Sequence, residues 1–185
     1  MYPTVILDLI GFWIPFIISA DIVIALGLII RRHRITVVGL AKYVGLISWV
    51  AILTVVLFLV LGNKERIPQS YSFLIIVIST LSYGGLFYRS RAIFSSVLEC
   101  YVVGVYAEIL SDFARTFIVP VSFSPVYWGG YGTGDLIFQL GLWMGFLYLL
   151  GGVILASIYA IIKRNLNTFI EKLIGRRLLD WVRKK

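Results

Sequence analysis

The chain has 185 residues, of which 60% are hydrophobic and 14% charged, with a mean hydropathy of +0.96 and a formal net charge of +8. A soluble domain carries roughly 45–50% apolar and about 25% charged residues, so a water-soluble fold is excluded and a membrane-embedded one expected. The basic excess does not imply a nucleic-acid partner, because the Lys and Arg residues flank apolar runs instead of forming a stripe.

Apolar length predicts an all-α polytopic transmembrane bundle of about five spans, at 5–30, 35–62, 71–88, 92–119 and 135–162, with a basic amphipathic helix over 163–185. The first run is too long for a secretory signal, and its positive cluster follows it, so it reads as a retained anchor. The punctuation between runs is RRHR at 31–34, GNKERIPQ at 62–69, RSR at 89–91 and PVSFSPVYWGGYGTG at 120–134. Placing 31–34, 89–91 and 163–185 on one side collects 13 of the 17 Lys and Arg residues, against Lys64 and Arg66 opposite. Basic residues near span ends are retained inside, which predicts a multi-pass cell-membrane protein with its N-terminus outside and its C-terminus cytoplasmic.

The first span contains Asp21 and the second Lys42, while the fourth carries Glu99, Glu108, Asp112 and Arg115. Each ionisable group at mid-membrane costs about 2.5–3.5 kcal/mol on insertion scales, so a shielded polar face on the fourth span is expected. At about 1.5 Å of rise per residue, Asp21, Lys42 and Glu99 fall about 10–14 Å from the cytoplasmic boundary. Asp8, Asp112, Arg115 and Asp135 form an outer layer. Glu108, Asp112 and Arg115 follow i, i+4, i+7 spacing and share a helix face. Such a network serves either as structural ion pairs, within the bundle or to a partner, or as a hydrated path with Glu99 and Glu108 as relay carboxylates.

The loop at 120–134 combines Pro120, Pro125 and four glycines with Phe123, Tyr127, Trp128 and Tyr131, the composition of an interfacial cap. Within it, Gly132-Thr133-Gly134-Asp135 resembles the GxGD signature of intramembrane aspartyl proteases. That resemblance implies Asp135 as one catalytic carboxylate and Asp112 as the nearest partner. Gly130-Tyr131-Gly132 is similar to a fragment of a potassium-channel filter, which implies carbonyl ligands from four subunits.

In the fifth span, Gly141, Gly145, Gly152 and Ala156 form a small-residue stripe for close helix packing, within the chain or against another copy. Beyond it, an apolar 3,4 pattern is backed by basic residues, and Lys172, Arg176, Arg177 and Trp181 suit a helix lying on the membrane surface. The single histidine, His33, cannot supply paired haem ligands, and the single cysteine, Cys100, permits neither an intrachain disulfide nor a cysteine metal cluster. No Walker loop, zinc motif or nucleophile elbow is present, so no metal or cofactor is expected. The expected function is a noncatalytic subunit of a membrane complex, with the lipid bilayer and other subunits or copies of itself as partners. A small oligomeric channel or secondary transporter, and an intramembrane protease, are the alternatives.

Overall fold

A computed structural model describes residues 5–30, 37–60, 69–88, 92–118, 126–128, 136–163 and 166–175. These residues are nearly all helical: α1 is Ile14–Ile30, α2 Val37–Val60, α3 Gln69–Phe87, α4 Ile93–Ile118, α5 Leu136–Lys163 and α6 Leu166–Ile174. Four of the helical segments are long and apolar enough to cross a membrane: Leu9–Leu26, Val38–Val60, Ile93–Phe117 and Leu136–Ile162. The expected count was five. The difference is α3, whose apolar run, Tyr71–Phe87, is shorter. Outward-facing Ile24, Val38, Ile52 and Ile161 belong to an apolar surface far wider than soluble monomers expose.

The α4 helix is the centre of the bundle. In it, 56% of the apolar segment is buried, against 22–28% in the other three long segments. It packs chiefly on α5 and α2, and also meets α1, α3 and α6. Leu46 and Val50 of α2, Tyr83 of α3, Val103 of α4 and Met144 of α5 belong to one buried core. A smaller core joins Phe12, Tyr101, Val105 and Ile137.

The contact between α4 and α5 is antiparallel and set by glycine. A Cβ built on Gly104 would lie 2.8 Å from both the Cα and the N of Gly141, a separation that side-chain-bearing residues do not tolerate. Gly145 faces the Val97 carbonyl, Gly152 faces Ile93, and Ala156 is buried. The stripe at 141–156 is therefore turned inward onto α4 of the same chain.

The first run is not helical from its start. Val5–Leu7 forms strand β1, which pairs in parallel with strand β2, Val126–Trp128, in the register Val5↔Val126, Ile6↔Tyr127, Leu7↔Trp128. A π-helical turn, Leu9–Trp13, then leads into α1. Pro15 sits just after that turn, and its ring would clash with a carbonyl four residues back in a tight α-helix, so the wider π turn relieves the conflict. Asp8 caps the turn by accepting from Ile10 N at 3.0 Å and Gly11 N at 2.9 Å, while its own N–H donates to Trp128 O at 2.9 Å. Asp8→Ala should cost about 1 kcal/mol, the usual worth of such a cap. Faster hydrogen exchange at Ile10 and Gly11, with α4 unaffected, checks it.

Candidate functional site

Along α4, Ser96, Glu99, Cys100, Val103, Ala107, Glu108, Ser111 and Asp112 are buried, a helical stripe that alternates polar and apolar stretches. Its inner polar cluster centres on Glu99, which is 5% exposed. Tyr83 of α3 donates to Glu99 Oε2 at 2.5 Å, and Tyr43 of α2 donates to the same oxygen. Aromatic contacts hold both phenols in place. Phe87 stacks on Tyr43 at 4.6 Å and tilts against Tyr83 at 4.9 Å, and Tyr148 of α5 meets Tyr83 edge-on at 5.1 Å. One carboxylate thus ties α2, α3 and α4 together. Tyr83→Phe should lose about 1.5–3 kcal/mol, the range for a hydrogen bond to a charged group. A lower midpoint in detergent unfolding checks it, with Tyr71→Phe, on the exposed side of α3, as the unaffected control.

The outer cluster lies on the same stripe, nine residues or about 14 Å further along α4. Arg115 hydrogen-bonds Asp112, and its Nη2 lies 3.8 Å from Glu108 Oε1. The guanidinium also sits over the Phe58 ring of α2, 4.9 Å from its centroid. Glu108 is 1% exposed and Asp112 7%. Thr116 Oγ1 donates to the Asp112 carbonyl at 2.8 Å and accepts from Trp128 Nε1 at 3.1 Å, which links the cluster to the strand pair.

Between the clusters the stripe is apolar. Val103, Val105 and Ala107 are buried there with Leu140 and Met144 of α5, at the level where Gly104 and Gly141 are in closest contact. The two polar clusters are therefore separated by an apolar layer and do not form one continuous polar path among the described residues.

The expected inner layer of Asp21, Lys42 and Glu99 divides between two faces. Glu99 turns into the bundle, whereas Asp21 and Lys42 are exposed on its outside. The residues around Glu99 are phenols, which the charge pattern did not single out. Asp135, Arg176, Arg177, Trp181 and His33 lie outside the described residues. Asp112 is paired with Arg115 on its own helix, and Asp135, the other carboxylate that the GxGD resemblance implies, is not among the described residues. Among the described residues, no group of three or more His, Cys, Asp or Glu side chains is placed to hold a metal.

At the other end of the bundle, α6 packs on α5 and α4. Phe169 and Leu173 pack against the main core. Lys172 donates to the Tyr88 carbonyl, with its ammonium 4.3 Å from the Tyr88 ring centroid. Partial burial lowers the Lys172 pKa. Gly175, at φ +84°, ends α6 in the left-handed conformation that favours glycine and rests beside Ala92. Lys172 is thus half-buried against protein, not directed wholly to headgroups.

Comparison with protein-family models, with curated proteins and with solved structures gives no match to this chain.

Proposed function

We propose that the chain is a noncatalytic, polytopic subunit of a larger membrane assembly. It crosses five times, with α3 as the short fifth span, its N-terminus outside and its C-terminus in the cytoplasm. The observation that carries this proposal is the exposure of Asp21, nine residues from the end of α1 and so about 14 Å from the inner boundary. Ionisable side chains at that depth face protein or water, not lipid, because hydrocarbon does not solvate a carboxylate. A polar surface from a neighbouring subunit meets that requirement. The charges on α4 are consistent with this role, since they are paired or hydrogen-bonded inside the bundle and tie helices together. Beyond α6, the sequence 176–185 is basic and includes Arg176, Arg177 and Trp181, residue types that anionic headgroups and the membrane interface attract.

The test is purification in mild detergent with and without Asp21→Leu. The expected result is a complex larger than one chain that loses its partner in the variant while the variant itself stays folded. A single-chain particle with the same properties in both proteins would contradict the proposal.

A small oligomeric channel or secondary transporter is the second function, favoured by the buried Glu99 cluster. Solute or proton flux by the purified protein in liposomes, abolished by Glu99→Gln, is the result it requires.

A further inference from the structure

Two opposite charges stand on the outside of the bundle. Asp21 of α1 and Lys42 of α2 are both exposed, and neither has a hydrogen bond or ion pair among the described residues. Asp21 lies nine residues before the end of α1 and Lys42 five after the start of α2, about 14 and 8 Å along the two helices, a difference that the four-carbon stem of lysine spans. They do not meet within the chain, because α1 and α2 each pack on α4 and hardly touch each other. Each charge is set in an exposed helix face at three- and four-residue steps: Ile17, Asp21 and Ile24 on α1, and Val38, Lys42, Gly45 and Trp49 on α2. Nothing lies within 4 Å of a Cβ built on Gly45, so this face of α2 offers open space for the close approach of another helix, one turn outward of Lys42.

We propose that the partner at Asp21 is a second copy of this chain, with Asp21 of one copy paired to Lys42 of the next. This rests on the reading of the chain as a subunit of a larger assembly. Charge complementarity selects the partner. A foreign subunit would have to supply a cation to α1 and an anion to α2 at nearly the same level, whereas a copy of this chain carries both. In a closed symmetric oligomer every subunit makes the same contacts, so this one contact leaves no Asp21 and no Lys42 facing lipid. Copies that share one orientation set α1 of one antiparallel to α2 of the next. Ile17, one turn outward of Asp21, then falls toward Gly45, one turn outward of Lys42. Away from water such a pair is strong, and removing or reversing one member strands the other.

The experiment is co-expression of two full-length copies with different affinity tags, extracted in mild detergent and purified through one tag. The native copies are expected to co-purify. Asp21→Lys in both copies, or Lys42→Asp in both, should lower co-purification by about tenfold or more, because like charges then face each other. The double exchange, Asp21→Lys with Lys42→Asp in both copies, should restore it. Native copies that do not co-purify overturn the proposal, as does co-purification that either reversal leaves unchanged or that the double exchange does not restore. Should a charge-reversed chain fail to fold, Gly45→Leu decides, since nothing lies within 4 Å of its new Cβ to disturb the fold. It should lower co-purification by a similar factor, and an unchanged yield overturns the proposal. A particle holding one copy and a different protein overturns the pairing of copies and leaves the subunit reading standing, whereas a single-chain particle overturns both.

Discussion

Gly104→Val is expected to destabilise the bundle by about 3 kcal/mol or more, at the upper end of what overpacking costs. The obstruction is backbone, since a Cβ at residue 104 meets the Gly141 N and Cα at 2.8 Å, and neither atom can rotate away. The helices α4 and α5 must separate, which opens the apolar layer between the two polar clusters. Gly104→Ala should show the same effect at about 1–3 kcal/mol. Gly151→Ala is the control: nothing lies within 4 Å of its new Cβ, and alanine favours a helix, so stability should hold or rise slightly. Reversible unfolding in mixed detergent micelles measures all three, and equal midpoints for the 104 and 151 variants would remove the glycine contact from the account.

Arg115→Ala should be nearly as damaging. It withdraws the cation from two carboxylates that are almost fully buried, Glu108 and Asp112. Removing one member of a buried pair typically costs 3–5 kcal/mol, and the partial exposure of Arg115 brings the expected loss to about 2–4 kcal/mol. Arg115→Lys keeps the charge and should recover most of it, though not the planar contact with Phe58. Double replacement of Glu108 by Gln and Asp112 by Asn should rescue Arg115→Ala, because the buried charges are then gone. Unfolding midpoints of the four proteins, read as a cycle, give the coupling directly.

The helical runs were legible in the sequence because a long apolar stretch has one structure available to it in lipid. The strand pair at Val5–Leu7 and Val126–Trp128 was not, since its partners are over a hundred residues apart and neither segment has its own periodicity. The π turn was not legible either, because Pro15 near the start of a helix is compatible with an ordinary α-helical first turn. The stripe at Gly141, Gly145 and Gly152 was apparent from spacing, but Gly104, which makes the closest approach, is the only glycine of α4 and sits among charged residues whose spacing marks a polar face instead. The depth of a residue along its span is informative for phenols as well as for charges. The same arithmetic applied to phenols places Tyr43 six residues inside α2 and Tyr83 four residues before the end of α3, within one turn of the level of Glu99. Which way Asp21 and Lys42 face could not be read, because charge and spacing do not say what a lone polar residue on an apolar helix packs against.

The central claim is that α4 crosses the membrane with its charges shielded by the other helices. Single cysteines introduced into a Cys100→Ala background and labelled from each side of sealed vesicles test it most directly. The account predicts that positions in 31–34, 89–91 and 176–185 label from one side, and positions in 62–68 and 129–134 from the other. Labelling of 89–91 and 129–134 from the same side would contradict it, because α4 would then not cross.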